Sequence, residues 1–222
     1  MDIGKSFTYV FEDEEWVSKV LIGALFTILS GILIGIPFLV GYMVELIANV
    51  RAGKEKPLPR WDNLGDKFRD GLLLVIGFLV YSLPVLIIAC PLVLISMAAG
   101  DNNTTFSLLY ACLSCLSGLW GIVVAILSPA IYIRFAETRE LGAIFRFGDI
   151  LQFTQQHLAE VIVAVLLYIV ASFVAAIVGT LLCVVGLLLT GFWATLVEGH
   201  LYAQVGLPRR QTPAEATPLA SA

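Results

Sequence analysis

Four stretches of this chain carry no Asp, Glu, Lys or Arg: 20–44, 71–100, 102–133 and 161–197. A transmembrane helix needs roughly 20 predominantly apolar residues. Each stretch is therefore long enough to cross a bilayer, and a soluble core of this size has no use for four of them. Of the 222 residues 59% are hydrophobic and only 14% charged, where a soluble domain carries about a quarter charged. The expected class is all-α: a polytopic transmembrane helical bundle of about six helical segments, broken at prolines and glycines and edged by short amphipathic interfacial helices. Residues 1–206 read as a single integral membrane domain. Residues 207–222, rich in proline and alanine with little to bury, read as a disordered cytoplasmic tail.

The first apolar block, about 18–50, is too long for one upright helix, at about 50 Å against a hydrocarbon core of about 30 Å. It contains Gly31 and Gly35 in a G-x-x-x-G spacing, followed by Pro37. Proline favours the first position of a new helix, so two short helices broken near Gly35 and Ile36 are expected, with a single tilted, kinked helix as the rival. The last block, about 159–205, needs two passes or a re-entrant pair. Gly179, Gly186 and Gly191 are its candidate break points, and Ala171, Ala175 and Gly179 form a small-residue packing face. Pro84, Pro91 and Pro129 fall inside spans and should bend them. Residues 5–17, with Phe7, Val10, Phe11 and Trp16 among acids, read as an amphipathic helix on the membrane surface, and a second such helix is expected at 148–158.

Charge sets the orientation. The segment 51–70 holds Arg51, Lys54, Lys56, Arg60, Lys67 and Arg69, which the positive-inside rule assigns to the cytoplasm. Pro57 and Pro59 make its PLP extended, and Asp62 or Asn63 offers a helix cap. The turn around Asn102 and Asn103 has no basic residue and belongs outside. Arg134, Arg139 and Arg146 return the next loop inside, and both termini are expected in the cytoplasm of a prokaryotic inner (plasma) membrane. The N-terminus is acidic and aromatic where a secretory signal is basic, so the first apolar run is expected to stay. The net charge of −4 is misleading, because the charges sit only between the apolar stretches, and no basic surface is available for nucleic acid.

Several segments in order, "FTYVFEDEEWVSKVLIGAL", "GIPFLVGYMVELIANVRAG", "PLPRWDNLGDKFRDGLLL", "PAIYIRFAETRELGAIFRFGDI" and "LVEGHLYAQV", resemble the prokaryotic membrane family known as domain of unknown function 4013. PLPRWD before a glycine-led span is the most distinctive of them. The resemblance runs to about Gln204. It implies a multi-helix membrane protein, and it brings no established activity and no catalytic residues.

Chemistry-bearing residues are few. Glu45 and Asn49 share a helical face in the first block, and Glu198 and His200 lie near the end of the last. Together they are the candidate polar membrane site, because an ionisable residue within a span marks function by default. The competing reading for each is a helix end meeting water. Arg51, Lys54, Lys56, Arg60, Trp61, Asp62, Arg134 and Arg139 are the candidate cytoplasmic recognition or lipid-headgroup contacts; for Trp61 and Asp62 the plainer reading is an aromatic anchor beside a helix cap. Cys90, Cys112, Cys115 and Cys183 read as packing residues, since Cys112 and Cys115 have no further ligand beside them. No cofactor or metal is expected. The bilayer is the first partner, with other membrane subunits or a second copy the next. The leading functional reading is a non-enzymatic accessory, assembly or scaffolding subunit. A small transporter or channel using Glu45, and a membrane-embedded lipid-modifying enzyme, are the alternatives.

Overall fold

The computed structural model describes residues 1–99 and 104–207, and among these the chain is helical throughout, with no strand. A short α1 (Ile3–Thr8) runs into a 3-10 turn (Tyr9–Glu12). Then follow α2 (Trp16–Ser30), α3 (Gly35–Arg51), α4 (Leu64–Ala99) and α5 (Thr104–Thr138). A second 3-10 turn (Leu141–Phe145) precedes α6 (Phe147–Gln156), α7 (Leu158–Leu181) and α8 (Cys183–Ala203). Leu64–Pro91, Tyr110–Thr138 and Leu158–Leu181 are long and apolar enough to cross a membrane, and the chain is a helical membrane protein.

The first block is two helices. Residues 31–34 form the turn between them, just before Gly35 rather than at it. Gly35 opens α3, and a Cβ there would lie 2.1 Å from the Phe26 carbonyl, so glycine is what lets α3 start against α2. Pro37 is the third residue of α3, not the first. It costs no hydrogen bond there, because the first four amides of a helix have no internal acceptor. In the last block the break falls at Leu182 and Cys183, where Cys183 takes φ +62°, rather than at any of the three glycines. Gly179 and Gly186 instead let the two arms meet: a Cβ on Gly186 would lie 2.8 Å from the Gly179 carbonyl. Ala171 and Ala175 are buried on the same face of α7.

Both long central helices run through their prolines. Pro129 removes the donor for the Ala125 carbonyl, four residues back. The Ser128 hydroxyl donates to that carbonyl instead, at 2.8 Å. In the turn before Pro84, the Tyr81 carbonyl takes a 2.8 Å bond from Trp120 Nε1 on α5.

The N-terminal segment does not lie free on a membrane surface. Tyr9 and Val10 are buried, the Tyr9 hydroxyl donates to the Leu196 carbonyl at 2.9 Å, and only Phe11 of the expected apolar face is well exposed. The periodicity was apolar enough for lipid, but α8 supplies both an apolar surface and hydrogen-bond acceptors. The four cysteines are free and exposed rather than packed. The Asn102–Asn103 turn and all of the tail beyond Leu207 lie outside the described residues.

α3 and α4 meet backbone to backbone. A Cβ on Gly71 would lie 1.7 Å from the Pro37 carbonyl, and one on Gly41 1.8 Å from the Lys67 carbonyl. Gly71→Ala is therefore expected to force the helices apart and lower stability by about 1–3 kcal/mol. Gly65→Ala, with open space around it, should be neutral or slightly stabilising. Thermal unfolding of the two variants in the same detergent checks the difference.

Candidate functional site

The polar residues gather at one end of the bundle, where α3, α5 and α8 finish and α4 and α7 begin. Between α3 and α4, residues 57–60 form neither helix nor turn, as Pro57 and Pro59 dictate, which leaves their carbonyls without internal donors. Three consecutive ones are taken by side chains: Pro57 by Asn49 Nδ2 (3.0 Å), Leu58 by Lys19 Nζ (3.3 Å) and Pro59 by the Tyr42 hydroxyl (2.8 Å). Trp61 closes the segment. Its ring stacks on Tyr42 at 4.4 Å and on Phe26 at 4.6 Å, and its Nε1 donates to the Lys19 carbonyl at 2.8 Å. Trp61 and Asn49 are thus fasteners of this loop.

Lys19 also meets Asp13 at 2.7 Å, with both side chains nearly buried. Burial alone pushes the Asp13 carboxyl up. The Lys19 hydrogen bond, the Glu15 amide and the charges of Lys19 and Lys56 outweigh it and hold the carboxyl below its usual range.

Most of the basic residues singled out from sequence pair with the chain's own acids. Arg51 reaches Glu137 at 2.9 Å and donates to the Ala203 and Val205 carbonyls. Lys56 pairs with Glu14 (2.6 Å) and Arg60 with Glu15 (3.5 Å). Arg139 binds Asp70. Arg134 reaches Glu137 at 3.7 Å and covers the Phe153 ring at 5.6 Å. Asp62 stands 3.6 Å from Lys67. Lys54 is exposed without an ion pair.

The four residues of the candidate membrane site have separate partners. Glu45 pairs with Lys67 at 2.7 Å, and the Lys67 side chain is only 2% exposed. Asn49 serves the loop. His200 is buried against Tyr9, with ring centroids 4.3 Å apart; its Nδ1 lies 2.9 Å from both Ser6 Oγ and Gln204 Nε2. Gln204 also meets Asp2, so the start of the chain is tied to the end of α8. Glu198 differs from the rest. Its carboxylate faces the hydroxyls of Tyr168 on α7 and Tyr202 on α8, with Tyr132 of α5 beside them. Ser128 Oγ lies 3.2 Å from the Tyr202 hydroxyl. Asp13, Glu45 and Asp70 each pair with a lysine or arginine, and Glu160 has the His157 ring at 3.8 Å and accepts from the Gly206 amide at 2.7 Å; among the described residues no lysine or arginine pairs with Glu198. Beyond Tyr168 a cavity of about 230 Å³ opens between α7 and α8, lined by Ser172 and Thr190 among small apolar residues. The Ser172 hydroxyl is buried beside the Tyr168 hydroxyl.

Chemically this is a carboxylate ringed by hydroxyl donors within a helix junction, able to hold a cation or a proton. No group of three potential metal ligands is found among the described residues. Sequence reading missed Lys19, Lys67 and the three tyrosines, because each meets its partner across helices and no local spacing announces it.

A family model described as Protein of unknown function (DUF4013) matches residues 24–184. No curated protein and no solved structure matches the chain.

Because the folded Asp13 carboxyl is held low, its pairing stabilises the fold above its unfolded value of about 3.9 and is lost as pH falls through the lower folded value. Protection of residues 13–19 from hydrogen exchange is expected to hold at neutral pH and to drop in that acid window. Asp13→Asn should weaken protection at neutral pH and abolish the acid step. Trp61→Ala, which removes two stacked rings and a hydrogen bond, should cost about 3 kcal/mol in thermal or denaturant unfolding.

Proposed function

The chain belongs to the DUF4013 family, and from that premise we propose that it is a non-enzymatic accessory, assembly or scaffolding subunit that works by packing its helices against another membrane protein. The observation that carries the reading is the first half of α5. From Ala111 to Val123 the helix is exposed or only half-buried on every side, although Ala111, Ser114, Gly118 and Gly121 share one face. Gly118 and Gly121 have nothing within 4 Å of where a Cβ would stand. Small residues let helices approach closely in lipid, and a serine hydroxyl adds a hydrogen bond across the contact. A helix meant to meet only acyl chains gains nothing from such a stripe.

By the same reading the polar end, with both termini, faces the cytoplasm across a prokaryotic plasma membrane, since it carries the lysines and arginines. A second reading, a small transporter or channel, is favoured by Glu198 rather than Glu45: Glu198 has no cation, while Glu45 has Lys67. The lipid-modifying alternative has less support, because Glu45, Asn49, Glu198 and His200 are each engaged separately.

In a mild-detergent extract of native membranes the protein is expected to run as a stable complex, with itself or another membrane protein. Gly118→Leu should still insert and fold but lose that complex. A wild-type protein that runs only as a monomer overturns the packing reading. For the second reading, Glu198→Gln keeps the size and hydrogen bonds of the side chain. It should abolish any cation or proton flux seen in wild-type proteoliposomes, and wild-type vesicles with no flux overturn it.

A further inference from the structure

The α2–α3 hairpin enters the bundle from the polar end and returns to it. Its arms have 15 and 17 residues, about 22 and 25 Å of helix. The apolar part is shorter. From Lys19, fixed to Asp13, to the end of α2 is about 16 Å, and from Glu45, fixed to Lys67, back to Gly35 is about 15 Å. The hydrocarbon core is about 30 Å thick. On α7, by contrast, Glu160 stands about 31 Å from the far end at Leu181.

The turn at the tip is made for a place without water. The amides of Gly31, Ile32 and Leu33 donate to the carbonyls of Ile28, Leu29 and Ser30 at 3.0, 3.2 and 2.9 Å. The hydroxyls of α2 nearest the tip are spent internally: Thr27 on the Gly23 carbonyl and Ser30 on the Thr27 carbonyl. Leu33 accepts φ +66°, a conformation that branched residues rarely adopt, to close the turn. Ile32, Leu33 and Ile34 nonetheless point outward, 63%, 72% and 56% exposed. Exposed aliphatic side chains over an internally bonded backbone suit acyl chains.

We infer that α2–α3 is a re-entrant hairpin whose tip ends inside the hydrocarbon, occupied by acyl chains of the bilayer and not by water or by the far headgroups. The hairpin then adds two helices to the protein's cross-section on the polar-end side of the membrane and none at the far surface.

Cysteine accessibility tests this in the full chain in native membranes, with the four native cysteines, all exposed, replaced by serine. Single cysteines are introduced as Leu33→Cys at the tip and Lys54→Cys at the polar end. A membrane-impermeant maleimide is applied to intact cells or to inverted vesicles. Lys54→Cys should react from one side only. Leu33→Cys should react from neither side, and fully after denaturation in SDS. A nitroxide at position 33 should collide with dissolved oxygen and not with an aqueous nickel chelate. Reaction of Leu33→Cys from the side opposite Lys54 makes the hairpin a full crossing. Reaction from the same side makes it a surface element. Either result overturns the inference, and Ile32→Cys repeats the test should the first variant fail to fold.

Discussion

Hydrocarbon offers a backbone carbonyl nothing to bond with, and an unpaired one costs several kcal/mol. At several places where this chain departs from regular helix, its carbonyls are met by side chains from other segments. Asn49, Lys19 and Tyr42 cover the proline loop. Arg51 covers the end of α8. Tyr81 donates to the Ile144 carbonyl in the second 3-10 turn at 2.7 Å, and Trp120 supports the turn before Pro84. These bonds tie sequence-distant segments together without relying on the hydrophobic effect, which gives little between helices in lipid. Close backbone contact does the rest, at Gly41 and Gly71 between α3 and α4 and at Gly179 and Gly186 between α7 and α8.

This way of building concentrates charge. A lysine that reaches a loop carbonyl needs a carboxylate beside it, and an arginine at a helix end collects the acid of the next segment. Lys19 with Asp13, Arg51 with Glu137 and Arg139 with Asp70 are three versions of the same joint. Most of the basic residues at the polar end thereby serve to assemble it, and few are left without an acid of the chain beside them. Among those with no ion pair are Lys54, Arg69 and Arg146, all exposed.

How much of this could be read from sequence follows from how local each signal is. The all-helical membrane class, the extended PLP segment and the division of the first and last blocks rest on composition, proline and length, and the structure has them. The exact breaks were harder. Glycine marks both breaks and close contacts, and at Gly179 and Gly186 the contact is what glycine serves, while Cys183 takes the strained turn. Trp61 was legible as an anchor, but not that it anchors to Phe26 and Tyr42 instead of the headgroups. Glu45 was legible as a charge near a helix end. Its partner, Lys67, lies on the next long helix, and no helical spacing connects them. The Glu198 tyrosines come from three helices and left no joint signal at all.

Glu45 and Glu198 show why position along a helix does not fix the role of a carboxylate. Each sits a turn or two from the end of the second arm of a hairpin, and the two arms touch, with Gly199 of α8 close to Met43 and Leu46 of α3. Read as a sequence repeat, they look equivalent. Their neighbours separate them. α3 packs along α4, which carries Lys67 in its first turn, so Glu45 acquires a counter-charge and becomes part of the joint between those helices. α8 packs along α7 and meets α5, and the Glu198 carboxyl finds the Tyr168 and Tyr202 hydroxyls there, with no lysine or arginine paired to it among the described residues. A carboxylate neutralised by lysine has little left to bind, whereas one held by phenols keeps its demand for a cation. The neighbours of Glu198 are thus the Tyr168 and Tyr202 hydroxyls of α7 and α8, and that of Glu45 is a lysine of α4.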